Sequence, residues 1–218
     1  DDWNSGGNWE GNQVPLSADD AWIRHGGNVN LSAGGHVENL SVSETSYVFT
    51  GSHKLIVDDT LVLGDDAGTV GGVSVLDSAG ELEVQTLRVR DHGYVSLLNG
   101  GLVDAVTFTI DDGGSVNAAG TVDVASRLTN NGTISTWAGD GLTLTTTSSG
   151  GGWDLDGSGA GKVTAFPGDL HVTGKLMDAF DGELTIGKTV LGGVAHPAPR
   201  SDARRVGTAG SSRGAPSP

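Results

Sequence analysis

The chain has 218 residues, 37 of them Gly, no cysteine, only 5% aromatic residues and a formal net charge of −15. That charge excludes nucleic acid and anionic membrane surfaces as natural partners, because both demand positive surface, and the missing cysteine removes disulfides from the stability account. No apolar run approaches the roughly 18 residues of a membrane-spanning helix, so no membrane insertion is expected.

In chain order, residues 1–27 stand apart as a segment rich in large side chains: Trp3, Trp9, Pro15 and Trp22, with Asn8, Gly11, Asp20 and Ile23 between and beside them. From residue 28 onward the apolar residues recur with period two, as in Leu82 and Val84, Leu87 and Val89, Val95 and Leu97, Phe108 and Ile110, and Val122 and Val124. Such alternation predicts strands with one buried face, and no stretch shows the spacing of an amphipathic helix.

Glycines punctuate these strands. Gly80, Gly93, Gly100, Gly114, Gly120 and Gly132 each stand two places before an apolar β-former, and the intervals between them alternate between a doubled step and a single one. A step of about 6.5 residues is one short strand plus one corner, and three steps close a coil of about 20 residues. A sandwich needs a longer step from turn to turn. The expected fold is therefore all-β: a right-handed parallel β-solenoid (β-helix) over residues 28–195, opened by a capping segment over 1–27. The stretch His196–Pro218 carries four arginines against Asp202 and is otherwise mostly Pro, Ser, Gly and Ala, so 196–218 is expected to be a disordered tail.

A solenoid end exposes unpaired backbone, and Trp3, Trp9, Pro15 and Trp22 read most simply as the hydrophobic cap that covers it. The alternative is a sugar-stacking platform, since aromatic faces pack on pyranose rings. Trp137 and Trp153, in Gly-rich surroundings, are the better candidates for that role.

The arrangement of Trp3, Asn8, Trp9, Gly11, Pro15, Asp20 and Ile23, followed by alternation at Val29, Leu31, Val37, Leu40 and Val42, resembles the opening of bacterial autotransporter passenger-like and related surface β-solenoid repeat proteins. It also resembles, more loosely, the G8 domain of extracellular proteins, in which two tryptophans, a proline and an acidic residue precede a β-rich unit. Either resemblance implies an extracellular or cell-surface location, and neither brings a catalytic residue.

Three motifs bear on chemistry. Gly182 to Thr189 fits the phosphate-binding P-loop expression, but Leu184 and Ile186 alternate like a strand where a helix should open. Asp154, Asp156 and Gly157 resemble the start of a calcium loop, yet Ala165 stands where a bidentate Glu belongs. Calcium is thus the one ion for which the sequence offers ligands, and no other cofactor is expected. Arg88 and Arg90 alternate on one strand and are candidates to grip an acidic glycan; ion pairing with Glu81 and Glu83 is the simpler account.

These readings predict an extracellular or cell-surface structural or adhesive β-solenoid that binds glycans or copies of itself. The alternative is a polysaccharide lyase or hydrolase, or its accessory module, on the same scaffold.

Overall fold

The structure, a computed structural model, describes residues 1–65, 69–75, 78–136, 141–146, 152–154, 161–165, 169–172, 175–176 and 183–186. Apart from one short 3-10 turn at Gly6–Asn8, every regular element among them is a strand. In chain order these are β1 (Asp20–Ile23), β2 (Asn28–Asn30), β3 (Gly35–Val37), β4 (Asn39–Val42), β5 (Ser46–Phe49) and β6 (Lys54–Leu63). Then come β7 (Gly71–Val75), β8 (Glu81–Val89), β9 (Gly93–Ile110) and β10 (Ser115–Asn130). The series ends with β11 (Thr133–Thr136), β12 (Leu142–Thr145), β13 (Gly152–Asp154), β14 (Lys162–Ala165), β15 (Leu170–Val172), β16 (Lys175–Leu176) and β17 (Glu183–Ile186).

These strands pair in parallel with strands one coil away, and together they make a parallel β-solenoid with three faces. The first face stacks β1, β4, the end of β6, the end of β8, the end of β9, the end of β10, β13 and β16. The second stacks β2, β5, β7, the start of β9, the start of β10, β11, β14 and β17. The third stacks β3, the start of β6, the start of β8, the middle of β9, the middle of β10, β12 and β15.

The coil length follows from the register. On the first face it passes from Ala21 through Leu40, Leu61, Leu87, Phe108 and Leu128 to Trp153. The expected period therefore holds for most coils, and two are longer, those from Leu61 to Leu87 and from Leu128 to Trp153.

Alternation decides what lies inside. On the second face Val29, Val48, Val73, Val95, Val116, Ile134 and Val163 form one buried column, each in register with the next. Leu55, Leu82, Val103, Val122 and Leu144 do the same on the third. At a strand spacing of about 4.8 Å each side chain packs on its counterpart above and below, so aliphatics of similar size fill these two columns, while the first-face column also takes Phe108 and Trp153.

The corners differ in kind. Between the first and second faces the chain enters the left-handed region, at His25 (φ 61°), Gly64 (φ 78°), His92 (φ 57°) and Gly113 (φ 78°). Between the third and first faces a single residue suffices in two coils, Gln85 between Val84 and Thr86 and Val106 between Ala105 and Thr107, with pairing on either side. β9 runs unbroken for 18 residues because it passes this corner and also the one between the second and third faces, turned at Asn99 (φ 56°) and Gly100 (φ 89°).

The N-terminal segment closes one end. Asp2 bridges to Asn30 in parallel, and the Trp3 amide donates to the Asn30 carbonyl at 2.8 Å. The Trp3 indole is fully buried over Gly35, where an added Cβ would lie 3.1 Å from the ring. Gly35 occupies the register position that Leu55 and Leu82 fill in the next coils, so the indole takes the space their side chains would need. Trp9 meets Trp3 edge-on at 4.9 Å between centroids, and its Nε1 donates to the Trp3 carbonyl at 2.7 Å. The Asp2 carboxylate accepts from the Asn4 amide at 3.0 Å and the Ser32 hydroxyl at 2.8 Å, which hold its carboxyl below the usual range.

Trp22 departs from the expected cap. Ala21 and Ile23 point inward, so alternation turns Trp22 outward on the first face, where it is 62% exposed. Pro15 is half-buried beside Val14, which packs on the core. The expected tail 196–218 lies outside the described residues.

Candidate functional site: an aromatic platform on the second face

In β5 the residues Ser46 and Val48 are buried, so Tyr47 and Phe49 face outward. Ser46 is held inside because its hydroxyl accepts from the Gly27 amide at 3.1 Å. Tyr47 is in register with Gly72 of the next coil, and Gly72 with Tyr94 of the coil after. The missing side chain at position 72 leaves a gap into which Tyr94 leans. The Tyr47 and Tyr94 rings meet at 5.7 Å and 44°, and Tyr47 and Phe49 at 6.3 Å and 42°. An added Cβ at Gly72 would sit 2.6 Å from Tyr94 Cε1 and Cζ, so this ring contact requires glycine.

All three rings are half-buried, with part of each open to solvent. The remaining outward positions of this face include Asn28 and Asn30 in β2, Ser96 in β9, Ser115 and Asn117 in β10, and Thr133 and Ser135 in β11. None is acidic, basic or His; the first charged position in these columns is Lys162 in β14. The Ser135 hydroxyl donates to the Asn117 side-chain carbonyl, joining two strands of the column. Rings flanked by hydroxyls and amides are what a sugar requires: apolar faces for its C–H surface, and donors and acceptors for its hydroxyls.

The third face is charged instead. Lys54 pairs with Glu81 at 2.8 Å and also with Glu83. The hydrogen bonds that the Lys54 ammonium donates, to Glu81 first and Glu83 second, hold it above its usual value. Glu83, Asp104 and Asp123 then follow in register. Desolvation first, and the charges of Asp123, Glu83 and Glu81 after it, push the Asp104 carboxyl above the usual range, against a smaller opposing pull from Lys54.

The residues singled out from sequence fall elsewhere. Trp153 is fully buried in register with Leu128, so it offers no face to a sugar; its Gly-rich neighbourhood concealed an inward strand position. Asp154 is 5% exposed and its carboxylate is bound by Arg127, which gives it a fixed cationic partner. Arg88 donates through Nε to Asp111 at 2.6 Å, while Arg90 lies past the end of β8 at the corner, so the two do not form one gripping pair. The pairing expected between these arginines and Glu81 and Glu83 is made by Lys54 instead, because the bend at Gln85 puts the glutamates on the third face and Arg88 on the first. Trp137 and Asp156 lie outside the described residues. Among the described residues no group of three or more His, Cys, Asp or Glu side chains is placed to hold a metal ion.

Sequence reasoning missed Tyr47, Phe49 and Tyr94. A signal was present: the triplets Ser46-Tyr47-Val48, Gly71-Gly72-Val73 and Gly93-Tyr94-Val95 share a small residue first and valine last, and they hold both tyrosines of the chain.

No family model, no curated protein and no solved structure matches this chain.

Proposed function

We propose that the protein is a structural and adhesive β-solenoid of the cell surface or extracellular space, and that it holds glycans on its second face. The observation that carries this reading is the cluster of Tyr47, Phe49 and Tyr94, three outward rings gathered on a flat sheet among hydroxyls and amides. Aromatic rings grouped on an outward sheet face offer a sugar an apolar surface to stack on, beside side chains that can meet its hydroxyls. A rigid solenoid suits the task, because parallel register fixes the relative positions of rings from separate coils before any ligand arrives. The acidic body of the chain fits neutral sugars better than anionic polymers.

Affinity electrophoresis through gels containing soluble neutral polysaccharides tests the reading. The protein is retarded by at least one of them, and Tyr47→Ala with Tyr94→Ala abolishes the retardation while circular dichroism stays that of a β-solenoid. Equal migration of the parent and the double variant in every gel would overturn it.

A further inference from the structure

We infer that the ligand of the second face is an unbranched, uncharged polysaccharide lying along the solenoid axis, anchored at Tyr47, Phe49 and Tyr94 and continuing over Ser96, Asn117 and Ser135. This rests on the glycan-binding reading and adds the class and direction of the ligand.

The class follows from charge. Among the described side chains, the outward register positions of the second face between β2 and β11 hold serine, threonine, asparagine, aromatic residues and one glycine, and no Asp, Glu, Lys, Arg or His. In the same coils the third face carries Lys54, Glu81, Glu83, Asp104 and Asp123, so the chain does not lack charges to place. A uronate or a protonated amino sugar settling on the neutral face gives up hydration and meets no opposite charge, which is unfavourable. Neutral hydroxyls are matched there by serine and asparagine, each able to donate and accept.

The direction follows from register. Phe49, Ser96, Asn117 and Ser135 stand in one column, linked through position 74 in β7, and the column runs across the strands along the axis. At about 4.8 Å per strand the span from β2 to β11 is roughly 24 Å. The aromatic anchor sits between β5 and β9 in that span. A short sugar reaches the rings alone; only a longer chain also reaches Asn117 and Ser135. A chain laid along the strands would instead leave the flat face at a corner within one strand length.

Titration calorimetry with defined oligosaccharides tests this: neutral gluco- and manno-oligosaccharides from monosaccharide to octasaccharide, oligogalacturonates, and glucosamine oligomers. Affinity for one neutral series rises on the order of tenfold with length and then levels off, and the charged oligomers bind on the order of tenfold more weakly. Asn117→Asp, which keeps the acceptor and adds a charge, lowers affinity for the long neutral oligomers more than for the short ones. Glu83→Gln on the third face changes neither. Length-independent binding, or charged oligomers bound as well as neutral ones, would overturn the inference and leave the platform intact provided Tyr47→Ala still weakens binding. If no oligosaccharide binds and Tyr47→Ala changes nothing, the glycan reading falls with it. Concentration-dependent association in sedimentation that Tyr94→Ala removes would overturn it as well, by making the face an interface between copies.

Discussion

The second and third faces of the solenoid share the same coils and equivalent buried columns, yet they meet water in opposite ways. Behind Tyr47 and Tyr94 stand Val48 and Val95; behind Glu83 and Asp104 stand Leu82, Val84, Val103 and Ala105. The inward half of each strand is fixed by packing, and the outward half is free to vary. What the outward half does is then multiplied by register. Like residues opposite one another reinforce a neutral column, as with Ser135 and Asn117, and oppose one another in a charged one, as with Glu83, Asp104 and Asp123.

The largest effect expected is one that erases the comparison. Phe108 is buried in register between Leu87 and Leu128, and Phe108→Ala removes a core side chain common to the coils behind both faces. We expect a loss of about 3–5 kcal/mol, read as a fall in the urea midpoint. A change confined to one face would show the faces to be separately stable.

Next in size is a substitution that acts on the second face alone. Gly72→Ala places a methyl against the Tyr94 ring and displaces it, without altering either aromatic residue. Glycan affinity falls by about tenfold in calorimetry, with the thermal midpoint close to that of the parent. Unchanged affinity would remove the Tyr47–Tyr94 contact from the site.

On the third face Asp104→Asn relieves first the desolvation of a carboxylate and then a like-charge stack, and is expected to raise stability at neutral pH by about 0.2–1 kcal/mol. The sign depends on pH. The Asp104 carboxyl is raised in the folded state, so the native protein holds its proton more tightly and gains stability as pH falls through that raised value. The advantage of the variant is thus full above the raised value and vanishes below the ordinary value of 3.8, as thermal melts across pH will read.

The smallest effect lies at the capped end. Asp2 is held below 3.8 in the folded state, so its contribution is present above 3.8 and is lost as pH falls through the depressed value. Asp2→Asn therefore speeds amide exchange at residues 30–34 at neutral pH, and the difference from the parent closes in strong acid.

Much of this fold was legible because alternation and glycine spacing are local. Val95 with Leu97, and Val122 with Val124, announced their inward phase, and the short glycine step announced a coil of three strands. The same rule of alternation, applied to Ala21 and Ile23, puts Trp22 outside; the size of the indole had suggested otherwise. Trp153 was misjudged for the opposite reason, since only the three residues Gly152–Asp154 form its strand and no alternation is visible over so short a length. The platform was illegible because it depends on register. Tyr47 and Tyr94 meet only across two coils, by way of Gly72, and the coil from Tyr47 to Gly72 is longer than the common one; no local pattern states that length. Lys54 with Glu81 and Glu83 was hidden likewise, by the bend at Gln85 that sends two halves of one strand to different faces.

The unequal coil steps have a mechanical meaning. Backbone hydrogen bonds between coils point along the axis, so a pull on the two ends loads them one rung after another rather than together. A coil that peels from its neighbour releases the chain of one register step: the stretch from Leu87 to Phe108 in one case, and the longer stretch from Leu61 to Leu87 in another. At roughly 3.4 Å per extended residue these are increments of about 70 and 90 Å. Under tension the rod is a spool that unwinds its thread in discrete lengths, and the extension trace from a single molecule would record the order in which its coils let go.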